Sequence, residues 1–241
     1  MRNLGKILTA WLVFTAAAQA QPAQEKLDRL LQQWEAKMTA VQTLKARCIR
    51  TTVDKVFETT DVYEGEALYM KPNMASLEMY KRNKPSIYEK YICTGTYLYE
   101  FVPANKVIRV HTLPQGQANN FLSFFFGMKA QDAKQRYNLR LSKEDDWYYY
   151  IEITPRLPED KVDFQRARLV LNKNTFLPRE LWFMQPNKNE VKWDLPNVQS
   201  GIPLNRSQFA PPANSGWKLE RVPQVRATRQ NVPPRVIRPN R

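Results

Sequence analysis

Residues 24–58 read "QEKLDRLLQQWEAKMTAVQTLKARCIRTTVDKVFE", and the hydrophobic period changes partway through them. Leu27, Leu30, Leu31, Trp34, Met38 and Val41 recur at helical spacing between charged residues, which predicts one amphipathic helix over 24–44, packed on its own sheet. From Lys45 the period is two. The alternation continues through "DVYEGEALYMK", "MASLEMYKR", "YEKYICTGTYLYEFV" and "KVIRVHTL", all rich in Tyr, Val, Thr and Ile, with "KPN" and "PANK" as turns. "MKAQDAKQRYNLRL" (128–141) reads as helical. Strands resume in "DWYYYIEIT", "FQRARLVLN", "PRELWFMQ" and "NEVKWDLPNV", so the order is a helix, about five strands, a helical insertion and about four more strands. The class is α+β, mainly β: a large curved antiparallel sheet with helices covering one side and space for a cavity between them.

The ends belong to other classes of segment. Arg2 and Lys6 precede an apolar run from Ile7 to Ala18, and Ala18-Gln19-Ala20 is a small-x-small site, so residues 1–20 are expected to be a signal peptide with Gln21 starting the exported chain. Residues 21–220 form the folded domain. Residues 221–241 form a basic, Pro-rich tail; from Trp217 onward seven basic residues face Glu220 alone, and no apolar period is available for packing. The formal charge of +14 and this tail favour an anionic envelope surface as partner. Export argues against nucleic acid. No second run is long enough to span a bilayer.

Catalytic chemistry has little to build on. His111 is the one histidine and sits in an alternating strand, so neither a zinc site nor a nucleophile device is expected, and no cofactor is called for. Glu144, Asp145 and Asp146 read as a solvated turn. Cys48 and Cys93 both fall in strands, and in an oxidising compartment they could form one disulfide or stay as two thiols. "NNFLSFFFGMKAQD" (119–132) packs Phe121, Phe124, Phe125 and Phe126 into six positions. It is either a short core helix or a lid that fills an apolar cavity until a ligand displaces it, with Gly127 as hinge or cap.

Four segments together resemble the bacterial outer-membrane lipoprotein carrier (LolA-like) proteins, in a divergent exported branch. "ALYMKPNMASLEMY" (67–80) is similar to that family's strand, R-P-N turn, strand unit. "ICTGTYLYEFVPANKVIRV" (92–110) is similar to its S-D-G-K-T-L-W hairpin, with Thr94 and Gly95 in the turn. "RLVLNKNTFLPRELWFMQPNKNEVKWDLPNV" (168–198) and "LNRSQFAPPANSGWKL" (204–219) resemble its later strands and closing segment. The resemblance implies an unclosed barrel covered on its concave side by helices, a non-catalytic monomer, and lipid or lipoprotein acyl chains as ligand. It places the Phe cluster where those carriers keep their lid. It also aligns Lys71 with an arginine that latches the lid, although lysine offers a point charge and not a planar fork of donors. Two functions stay open: a carrier or binder of acyl chains, and an envelope sensor or interaction module on the same fold with a dry cavity.

Overall fold

The computed structural model describes residues 17–113, 129–211 and 216–223, with side chains from Ala23 onward. Helix α1 (Ala17–Ala40) leads into β1 (Thr43–Asp54), β2 (Thr59–Met70), β3 (Met74–Lys81), β4 (Lys84–Thr94), β5 (Tyr97–Val102) and β6 (Val107–Thr112). After the undescribed stretch come α2 (Ala130–Arg136), β7 (Tyr137–Glu144), β8 (Tyr148–Pro155), β9 (Arg166–Asn172), β10 (Pro178–Met184) and β11 (Glu190–Ser200). The last element is β12 (Lys218–Val222). All twelve strands form one sheet in the order β12-β6-β5-β4-β3-β2-β1-β11-β10-β9-β8-β7. Every pairing is antiparallel except β12 on β6. The sheet does not close, because β12 and β7 are its two edges.

The change of period fixes the layers. Leu27, Leu30, Leu31, Trp34 and Met38 of α1 are buried in one cluster with Leu44, Ala46 and Cys48 of β1, Leu181 of β10, and Val191, Trp193 and Leu195 of β11. Ile151, Ile153, Ala167, Leu169 and Leu171 extend this cluster across β8 and β9. Each fully buried aliphatic or aromatic side chain is worth about 1.5–3 kcal/mol, so the α1 stripe is the main bond between helix and sheet. The helix reaches the β7 edge, where Lys26 pairs with Glu144. At its other end Lys71, in the turn after β2, donates to the Thr39 carbonyl and, through its backbone, to the Gln42 carbonyl at 2.9 Å. Helix α2 rests on α1: Ala130 and Ala133 are buried, the Ala130 amide donates to Glu35 at 2.9 Å, and Lys134 pairs with Asp28 at 2.7 Å.

Three sequence expectations change. The helical reading of 128–141 holds only for Ala130–Arg136, because "YNLRLSKE" is edge strand β7, with alternation too weak to outweigh the helical spacing before it. "YEKYICTGTYLYEFV", one strand by its period, is two strands that turn at Gly95, where the resemblance placed the turn and where a φ of 94° suits glycine. The unpacked tail was expected to begin at 221, yet Arg221 and Val222 belong to β12, which pairs with β6, and Trp217 before it lies edge-on to Phe101 at 5.5 Å. Trp217 packs with Ile92, Phe101, Ile108 and Tyr99 in a second apolar cluster. Their strand parity places this cluster on the face opposite α1.

Candidate functional site

Residues directly opposite one another in paired strands share a face, so register maps the helix-covered face beyond α1. One row runs Leu44, Tyr69, Ala75, Cys93, Leu98, His111; the next runs Ala46, Ala67, Leu77, Tyr91, Glu100, Arg109; a third runs Cys48, Gly65, Met79, Glu89. Next to α1 the rows are small or apolar. The second and third rows turn polar at β4, with Tyr91 and Glu89, and the first only at His111 of β6.

Arg50 starts the polar band. It forms a bidentate pair with Glu89 at 2.7 and 2.8 Å, and its guanidinium lies over the Tyr63 ring at 4.6 Å and beside Trp193 at 5.5 Å. Burial works against its charge, but the Glu89 carboxylate outweighs this and holds the guanidinium above its ordinary range. Burial, reinforced by the Glu89 and Glu100 charges, pushes the Tyr91 hydroxyl up to about 12. Glu100 lies 3.2 Å from His111 Nε2 and 3.8 Å from Arg109. The face is therefore amphipathic. A strip of Ala67, Tyr69, Leu77 and Met79 is bordered by a band of paired charges.

Lys71, aligned by resemblance with a lid latch, is joined to the C-terminal end of α1, where a cation also complements the helix dipole. Phe121, Phe124, Phe125, Phe126 and Gly127 lie outside the described residues. A Cys48–Cys93 disulfide is not formed. Both thiols are free, and β2 and β3 separate their strands, a gap of about 14 Å against the roughly 7 Å Cα limit of a bridge. Burial pushes the Cys48 thiol up to about 12. Among the described residues, no group of three or more His, Cys, Asp and Glu side chains could hold a metal, and no helix is long and apolar enough to cross a membrane. Asp145 binds the backbone of Trp147 and Tyr148 and the Tyr150 hydroxyl, which makes it a turn cap. Two open clefts measure about 380 and 330 Å³; the first, of mixed character, is lined by Gln24, Lys134, Tyr137, Asn138, Leu139 and Arg156, and the second, mainly polar, by Glu152, Arg166, Ala167, Arg168, Trp182 and Glu190.

Sequence reading missed the Arg50–Glu89 pair. The two residues are 39 positions apart on strands that are not neighbours, and only an Arg at an inward-facing strand position gave any sign of it.

No curated protein matches the chain in sequence. Its fold is similar to that of an uncharacterized conserved protein from Thermus thermophilus, with a TM-score of 0.53 at 9% identity, covering 82% of this chain and 99% of that one. Weaker likenesses include LprF from Mycobacterium bovis (TM-score 0.42, 12% identity, 78% and 98% covered) and a LolA superfamily protein from Nitrosomonas europaea (0.36, 14%, 75% and 97%). The family model for the outer membrane lipoprotein carrier protein LolA matches residues 39–212, which runs from the end of α1 past β11. The chain belongs to the LolA family.

Proposed function

We propose that this chain is a cell-envelope binder or carrier of lipid or lipoprotein acyl chains that performs no bond chemistry. LolA proteins are non-catalytic carriers in the periplasm and envelope. The observation that carries the reading is the amphipathic inner face, where an apolar strip over β2 and β3 meets a charged band on β4–β6. An acyl chain laid on half-buried Ala67, Tyr69 and Leu77, with Met79 fully buried beside them, gains about 0.8 kcal/mol for each buried CH₂. Its polar end would meet Arg50, Glu89 and Glu100. The buried Arg50 Nε–H has no acceptor among the described residues and is a donor for a headgroup oxygen. In this reading Phe121, Phe124, Phe125 and Phe126 compete with the acyl chain for the strip.

The charged band also favours a second reading, a sensor or interaction module, because salt-bridged side chains suit a polar partner better than a second acyl chain. Mass spectrometry of an organic extract of the chain purified from the envelope separates the two. Stoichiometric lipid, lost in Leu77→Asp, is expected for a carrier. Lipid-free protein from both would remove that reading and leave the module.

A further inference from the structure

Among the described residues, the buried side-chain nitrogen and oxygen atoms that lack a hydrogen-bond partner are Trp34 Nε1, Arg50 Nε and Arg168 Nε. All three are donors. A guanidinium has no lone pair to accept with, so only an acceptor can satisfy it. The acids on the helix-covered face are already engaged. Asp61 pairs with Lys81 at 2.6 Å, Glu100 lies 3.2 Å from His111 Nε2 and 3.8 Å from Arg109, and Glu89 holds Arg50. The polar need left on this face is for an oxygen that accepts.

Arg168 shows that an orphan donor is not by itself a site. It pairs with Glu180 at 2.7 Å much as Arg50 pairs with Glu89, but its strand parity places it on the face opposite α1, among Glu152, Arg166 and Glu190. Arg50 stands at the foot of the apolar strip. Glu89 lies in the row Cys48, Gly65, Met79, Glu89, next to the last residue of that strip. Their strands β1 and β4 are three apart, about 14 Å in a flat sheet. The pair therefore crosses above β2 and β3, where Gly65 has no side chain to obstruct it. Glu89 takes the two terminal nitrogens at 2.8 and 2.7 Å and leaves the Nε edge of the fork unused.

We propose, resting on the carrier reading, that the ligand of the inner face is an anionic amphiphile whose carboxylate or phosphate oxygens take the Nε edge of Arg50, with Glu89 as an internal competitor. Such a headgroup brings acceptors only, and it matches a planar pair of N–H donors. An ammonium headgroup would bring further donors to a face whose orphans are donors. Glu89 tunes the affinity, because a second anion beside Arg50 meets its charge at short range in a half-buried site. Its side chain is 29% exposed against 18% for Arg50, so Glu89 is the partner that can turn toward water.

The test is titration calorimetry of the full chain at pH 8 with dodecanoate, dodecyl phosphate and dodecanol, each below its micellar concentration. The probes share one chain and differ in headgroup. Wild type is expected to bind at least one of the anions about tenfold more tightly than the alcohol, and the tighter anion names the headgroup as carboxylate or phosphate. Glu89→Gln keeps the shape and removes the competing charge, so that anion should bind about tenfold tighter still while the alcohol is unchanged. A merely structural salt bridge gives the opposite result, weaker binding as the sheet loosens. Arg50→Met/Glu89→Gln leaves no buried charge unpaired and should bring the anion to the level of the alcohol. Glu180→Gln, on the outer face, should alter none of the three. Equal binding of the three probes by wild type needs no variant to overturn the proposal, and it leaves the carrier reading standing. Unchanged or weakened anion binding in Glu89→Gln, at an unchanged thermal midpoint, does the same. Binding of none of the probes removes the carrier reading and the proposal with it.

Discussion

Single residues set limits that the strand pattern alone hides. Gly65 lies in the middle of β2, opposite Cys48 and Met79. A Cβ built there would come 1.8 Å from the Glu78 carbonyl oxygen, so β2 and β3 approach too closely for any side chain. Gly65→Ala should cost at least about 1–3 kcal/mol, as overpacking does, and lower the thermal midpoint by roughly 3–10 °C; an unchanged midpoint would mean that the strands part freely here. The cysteines give a second check. Cys48 is buried with its thiol held protonated to about 12, whereas Cys93 is half-buried and donates to the Asn73 carbonyl at 3.1 Å. Iodoacetamide at pH 8 should modify Cys93 well before Cys48 in folded protein, and both thiols in denaturant without reductant. Finding neither thiol in the denatured, unreduced chain would restore the bridge. Nothing in the sequence decides between bridge and thiols, because strand membership is local and strand order is not.

Elements were legible in proportion to their periodicity. The α1 stripe from Leu27 to Met38 and the alternation of β1 are strong, and the structure follows both, although the helix stops at Ala40 and β1 takes Thr43 and Leu44 from the span expected as helix. Edge strands are weaker signals. In β7 the alternation of Tyr137, Leu139 and Leu141 stops at Ser142, where exposed Lys143 and Glu144 follow, and β12 has only five residues in a basic, Pro-rich context. Strand β12 is held by its ladder to β6 and by Trp217, while Leu219 stays 64% exposed. Trp217→Ala removes an aromatic pair worth about 0.5–1.5 kcal/mol beyond its buried area. Amides of 218–222 should then exchange much faster while β1 and β11 keep their protection. Equal acceleration across the sheet would show that β12 is part of the global folding unit. The site was read less well than the fold. The Phe stretch and Lys71 stand out in sequence, but the polar band is assembled from β1, β4, β5 and β6 by pairing register, which no single stretch encodes.

At the scale of the molecule, ionisable groups bound the stable pH range on both sides. Lys134 holds Asp28 below the usual carboxylate range, Arg82 and Arg47 do the same for Glu64, Lys26 and Lys173 for Glu144, and Lys55 and Trp182 for Glu190. Their folded values lie below their unfolded ones, so the unfolded chain binds more protons as acid is added. Their stabilisation is complete above about pH 5 and is lost as pH falls below about 4. Asp163, raised by burial, works the other way but is one group against several. These pairs are largely exposed, so each contributes little and salt weakens all of them. The alkaline limb is sharper. Burial pushes Tyr91 and Tyr137 up to about 12, and the Glu78 hydrogen bond takes Tyr80 to about 12. An unfolded tyrosine ionises near 10, so between about 10 and 12 the unfolded state sheds protons that the folded state keeps. Folding stability should therefore fall as pH rises through that window. Absorbance at 295 nm should show most tyrosines titrating near 10 and a late set appearing only as the fold is lost. Tyr91→Phe should remove part of this alkaline loss and leave the acid limb unchanged. A single titration near 10, with the thermal midpoint flat to pH 11, would place these hydroxyls in water and dismantle the half-buried polar band on which the headgroup reading rests.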